Sequence, residues 1–149
     1  MSLFDDVLGD DGAFSEAAFG PQEGFAGVLL CASACDGHIA DEESQNLFLI
    51  LSQRKLYKRM SSQQFNSMFD RLMGVLKKGG PEKLLDKCYP VVPPELHDTV
   101  FANAVDIVMA DGTVDGEEKE FLDSLLHKLE LDEGRAKNII KVMSYKNKG

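Results

Sequence analysis

Apolar residues recur every three or four positions along most of this chain, and they almost never alternate. In the stretch SSQQFNSMFDRLMGVLKKGG, residues 61–80, Phe65, Met68, Phe69, Leu72, Met73 and Leu76 fall at i, i+3, i+4, i+7, i+8 and i+11. That is the single stripe of an amphipathic helix. Ser61 and Gln64 are spaced as a capping box at its start, and Lys77 and Lys78 suit the negative end of its dipole. Gly79 is placed for a left-handed exit. The same reading predicts seven helices, near 22–35, 41–54, 62–78, 81–89, 94–110, 116–129 and 133–144. Pro81 and Pro94 fit first-turn positions, where a missing N–H costs nothing.

Only CYPVVPP, residues 88–94, has a β-branched run, and its three prolines make it a connector. The expected class is therefore all-α. LFLIL, residues 47–51, is apolar on every side, so its helix is expected at the centre of the bundle. The head, residues 1–24, admits two readings. Leu3, Phe4, Val7 and Leu8 share a face of about two helical turns, which suits a short docking helix. The glycines that follow suit a partly disordered tail.

Shifted by 75 residues, the chain aligns with itself. ACDGHIADEESQNLFLIL (34–51) falls on MADGTVDGEEKEFLDSLL (109–126). Asp36 then matches Asp111, Gly37 matches Gly112, and Ile39 matches Val114. Glu42 and Glu43 match Glu117 and Glu118, and Leu47, Ile50 and Leu51 match Leu122, Leu125 and Leu126. A weaker match runs on, with Phe65 on Ile140 and Met68 on Met143. Each half, about 25–78 and 94–144, reads as helix, acidic loop, helix and a further helix. Neither buries its apolar face alone, so the two are expected to pack about a pseudo-two-fold axis.

Part of the loop chemistry is structural. Gly37 and Gly112 are placed to end a helix at positive φ. Asp115 can cap the next helix while Glu118 reaches back. Ala40 holds the equivalent place in the first copy, so Asp41 must cap in a shifted frame or not at all. Ile39 and Val114 are spaced to turn inward. Asp36 and Asp111 stand at the C-terminal end of the preceding helix, where negative charge opposes the dipole by at least about 0.3 kcal/mol. A bound cation would offset that cost, and so would Asn-like capping of local backbone. The candidate metal ligands are Asp36, Glu42, Glu43, Asp111, Asp115, Glu117 and Glu118, for a weakly held divalent cation such as calcium, magnesium or manganese.

Set against an EF-hand loop with Gly112 at position 6, Asp111, Asp115 and Glu118 take positions 5, 9 and 12. Positions 1 and 3 would be Ile107 and Met109, or Ala32 and Ala34 in the other copy, and these offer no side-chain oxygen. A high-affinity EF-hand is not expected. Affinity for one isolated loop should fall near 0.1–1 mM, or weaker, as an order-of-magnitude figure.

Net charge is -9 over 149 residues, with hydrophobic content of 44%, enough for one domain with a real core. The first 24 residues hold six acids and no Lys or Arg; the remaining 125 hold 19 acids against 16 bases. Such a surface suits cations or basic partners and not nucleic acid. Neither a membrane span nor a signal-peptide pattern is present, so the expected location is cytoplasmic. Cys31 and Cys35 share a helix face with His38 nearby, which suits either zinc or tight helix packing; no fourth ligand is evident. Cys88 reads as an exposed nucleophile or as packing, with packing the ordinary role of a lone helix-end cysteine. His38, His97 and His127 form no Glu-x-x-His pair, and phosphate-loop, HExxH and GxSxG motifs are missing. A non-enzymatic protein is expected. The basic residues Arg54, Lys55, Lys58 and Arg59, and Lys141, Lys146 and Lys148, read as solvated surface, with an acidic partner or anionic lipid as the alternative.

The duplicated A/C-D-G, hydrophobic, E-E pattern between helices resembles the TerB-like tellurite-resistance proteins of bacteria. The resemblance spans residues 24–144. It implies a compact bundle of about seven helices with pseudo-two-fold symmetry and an acidic patch proposed to bind metal ions. It further implies a role in stress or tellurite response through association with other proteins or the membrane surface. By motif position, the family's acidic residues fall on Asp36 and Asp111, and on Glu43 and Glu118 with Glu42 and Glu117 beside them. The first loop departs from the second in carrying Cys35 and His38 where the second has Ala110 and Thr113. The second adds Asp115, with Asp106 about a turn upstream, and is expected to hold a cation better. A metal-free helical scaffold whose acidic loops only cap helices is the alternative function.

Overall fold

The computed structural model describes residues 19–35, 37–110 and 112–149. The readings of residues 1–18, and the placing of Asp36 and Asp111, lie outside the described residues. Among those described, the chain is all-helical, with six α-helices: α1 (Pro21–Ser33), α2 (Asp41–Ser52), α3 (Ser62–Cys88), α4 (His97–Met109), α5 (Gly116–Lys128) and α6 (Glu133–Lys146). Single 3-10 turns at Lys55–Tyr57, Tyr89–Val91 and Pro94–Leu96 join them. No helix among the described residues is long and apolar enough to cross a membrane.

The count of six rather than seven has a local cause. The third and fourth predicted helices run as one element, broken only at Gly80, whose φ of 82° and ψ of 173° are not helical. The left-handed residue is Gly80, not Gly79 as the spacing suggested. Pro81 then opens the next turn, where its absent N–H is harmless. The Cys31 thiol donates to the Pro81 carbonyl at 3.3 Å and ties the kink to α1. At the start of α3, Ser61 Oγ accepts from the Gln64 N–H at 3.1 Å and Gln64 Oε1 accepts from the Ser61 N–H at 2.9 Å, the predicted capping box.

The centre of the bundle is α1. Every residue from Gly24 to Ala32 is buried, as expected for a helix surrounded by others. It packs most extensively on α3 and then on α4. One stripe of α1 is small because α3 and the turn after it come close: a Cβ on Gly24 would lie 2.8 Å from the Cys88 carbonyl oxygen. The expectation that LFLIL would be central is corrected. In α2 only Leu47 and Leu51 are buried. Phe48 is half-buried in edge-to-face contact with Phe65 and Phe69, with ring centroids at 4.8 and 5.5 Å. Leu49 and Ile50 are 57% and 44% exposed. A two-sided helix needs two neighbours, and α2 has one main partner layer.

At the other end of α1, Phe19 is buried under the Arg71 guanidinium, 4.4 Å from its ring centroid, and Glu23 pairs with Arg71. Residues 19–24 thus belong to the folded body.

Candidate functional site: two bends and the groove between them

The two acidic loops are built alike where they are described. The Gly37 N–H donates to the Ala34 carbonyl at 2.8 Å, and the Gly112 N–H donates to the Met109 carbonyl at 3.0 Å. Both glycines take positive φ, 92° and 86°, which lets each helix end and the chain turn at once. Ile39 and Val114 are half-buried against the core, as their spacing predicted.

The helix starts that follow share half of a capping box. Glu43 Oε1 accepts from the Ala40 N–H at 3.1 Å, and Glu118 Oε1 accepts from the Asp115 N–H at 3.0 Å. Only the second bend has the reciprocal bond, from the Glu118 N–H to Asp115 Oδ1 at 2.8 Å. Asp41 does not cap in a shifted frame; Ala40 is the cap residue and contributes no side chain. Ala40→Asp is therefore expected to stabilise the full chain by about 1 kcal/mol, and Asp115→Ala to destabilise it by about the same. Urea denaturation of both variants, compared with the parent chain, reads the two opposite shifts.

Glu43 and Glu118, seventy-five residues apart, line one groove of about 610 Å³. The groove lies between the C-terminal ends of α1 and α4, one side of α2, the start of α5 and the end of α6. Its apolar surface includes Leu49, Ile50 and Ile107. Asp106 also faces it, but this carboxylate is occupied: its Oδ1 accepts from Lys146 Nζ at 3.1 Å and from Asn147 Nδ2 at 2.8 Å. Glu42, Asp115 and Glu117 are exposed and do not line the groove. Of the seven candidate ligands, then, Glu43 and Glu118 share a groove, Glu42, Asp115 and Glu117 do not, and Asp36 and Asp111 lie outside the described residues. Among the described residues no three His, Cys, Asp or Glu side chains form a group that could hold a metal ion.

The cysteines behave as packing residues. Cys31 and Cys88 are wholly buried. Burial pushes the Cys31 thiol well above its ordinary value, and nearby Cys88 adds to the shift. Burial also pushes Cys88 up to about 12, with the Glu23 carboxylate adding to it. Neither thiol is disposed to ionise near neutrality. Cys35 donates to the Ala32 carbonyl at 3.7 Å, at the end of α1.

Sequence reasoning missed the groove and the parts played there by Leu49, Ile50, Lys146 and Asn147. One signal pointed to it. LFLIL has more apolar residues in a row than an amphipathic stripe needs, and the surplus is what the groove exposes. Comparison with protein-family models, curated proteins and solved structures returns no match for the chain.

Proposed function

We propose that the chain is a non-enzymatic TerB-like module, built from two halves related by a pseudo-two-fold axis. It holds divalent cations weakly at its two Asp-Gly bends and acts by associating with a protein partner in the cytoplasm or at a membrane surface, in stress or tellurite response. The observation that carries this reading is the matched pair of bends: the same glycine geometry and the same reaching-back glutamate occur twice, 75 residues apart. A cation at either bend would draw on Asp36 with Glu43, or on Asp111 with Glu118, and would keep several waters, which sets a weak affinity.

A titration of the full chain with calcium, magnesium or manganese, followed by amide NMR, tests it. The Gly37, Gly112, Glu43 and Glu118 amides are expected to move first, with a midpoint near 1 mM as an order of magnitude. Silence at these amides up to about 10 mM cation would remove the metal from the account.

A metal-free scaffold is the second reading, and the capping bonds of Glu43, Asp115 and Glu118 favour it. On that reading Asp115→Ala lowers thermal stability, and partner binding is the same with millimolar cation as in EDTA.

A further inference from the structure

We infer that the groove between α1, α2, α4 and α6 is the docking site for a basic amphipathic helical segment of a partner protein. The inference rests on the reading above that the chain works through a protein partner, and it assigns that partner's chemistry. Two observations carry it.

The first is apolar. Leu49 and Ile50 are adjacent, exposed, and both in the groove, with Ile107 beside them. Single exposed apolar residues are ordinary on a protein surface, but a contiguous set at a concave site marks a contact surface. A groove lined by helix flanks takes an amphipathic helix whose anchors fall at i, i+3 and i+7.

The second is charge. The ionisable residues lining the groove are Glu43, Asp106 and Glu118 against one ammonium, Lys146, which Asp106 already holds. The first turns of α2 and α5 add exposed Asp41, Glu42 and Glu117 close by in the chain. The acids exceed what two helix dipoles offset, each equivalent to about half a charge. A basic occupant is attracted and an acidic one repelled. The chain's own residues 1–18 carry five acids and no Lys or Arg. A second copy brings a net charge of -9. Both are the wrong sign.

The test uses the isotope-labelled full chain in EDTA. One probe is a synthetic peptide of about fourteen residues with Leu at i, i+3 and i+7 and Lys or Arg elsewhere; the other has Glu at every basic position. The basic peptide is expected to bind with a Kd of tens of micromolar, as an order of magnitude, and to shift the Asn46, Leu49, Ile50 and Ile107 amides. The acidic peptide should bind at least about tenfold more weakly. Leu49→Ser with Ile50→Ser, both at exposed positions, should weaken binding by about tenfold. Glu43→Gln with Glu118→Gln keeps the reach-back bonds and should weaken it about threefold to fivefold, with a flatter salt dependence.

Equal binding of the two peptides, or shifts confined to another face, would overturn the proposal. So would groove amides that move on simple dilution, which would place a second copy there, or contacts from Leu3 and Phe4 to the Leu49 and Ile50 methyls. Because metal is chelated throughout, failure here leaves the cation result standing, and failure of the cation titration leaves this one standing.

Discussion

Leu29→Ala is expected to lower the free energy of unfolding by about 2–5 kcal/mol, while Leu49→Ala is expected to change it by under about 0.5 kcal/mol. Both remove the same atoms from an α-helix, so helix propensity changes little in either case. What differs is the surroundings. Leu29 is fully buried in the middle of α1, within nine consecutive buried residues. Truncation there forfeits the transfer of a whole side chain and leaves a cavity that packed neighbours fill only in part. Domains of this size are held by about 5–15 kcal/mol in total, so Leu29→Ala consumes a large share. Leu49 is 57% exposed and has far less to lose. Chemical denaturation of the two variants, with an unchanged slope against urea, reads the difference. Comparable losses would mean that α2 is buried at Leu49 as fully as α1 is at Leu29.

Gly27→Ala is expected to destabilise the chain by about 1–3 kcal/mol, although the same change in an open helix stabilises by about 0.5–1 kcal/mol. The added methyl would collide with the Cys88 thiol sulfur, and Cys88 Cβ and Leu72 Cδ2 stand behind it at 3.1 and 3.4 Å. Rotating the thiol alone does not clear the space, so α1 and the end of α3 must separate slightly along their contact. Removing the sulfur should restore most of what was lost. The double variant Gly27→Ala with Cys88→Ala is expected to be more stable than Gly27→Ala alone, with a coupling of about 1–2 kcal/mol. Strict additivity of the two changes would show that α1 and α3 do not meet there.

Helix periodicity and the caps were legible because both are local. The stripe from Phe65 to Leu76 needs only the helical repeat, and the Ser61 and Asp115 boxes need only four residues each. The bends were legible for a related reason. A glycine after an apolar helix, followed by a β-branched residue and two acids, occurs twice, and repetition made the pattern readable in one chain. The kink was misplaced by one residue because Gly79 and Gly80 are both able to take positive φ, and the helical stripe alone does not separate them; Pro81 does, since it drives the residue before it, Gly80, out of the helical region. The place of LFLIL was misread because a run of apolar residues states how much surface a helix could bury and not how much its neighbours cover. α1 carries an unbroken apolar run of its own, GFAGVLLCA at 24–32, and is the better buried helix; Gly24 and Gly27 are what let α3 and the turn after it come close.

Beyond the surplus of apolar residues in LFLIL, the groove was not legible. Its lining comes from five helices, and Asp106 is brought to Lys146 across forty residues. Only the packing of α4 on α6 creates that pairing. It also changes the chemistry expected of the second bend. Asp106, read in sequence as an extra acid near the loop, is engaged by Lys146 and Asn147. The advantage expected of the second bend over the first therefore reduces to Asp115, whose Oδ1 already accepts the Glu118 N–H.

The most direct test of the paired bends is a crystal structure of the full chain grown with manganese, read in anomalous difference density. Two peaks are expected, one at each bend, bracketed by Asp36 and Glu43 in the first and by Asp111 and Glu118 in the second, with the backbone of the two bends superimposing. Bends of unrelated shape, or manganese absent from both while present at other surface acids, would contradict that expectation.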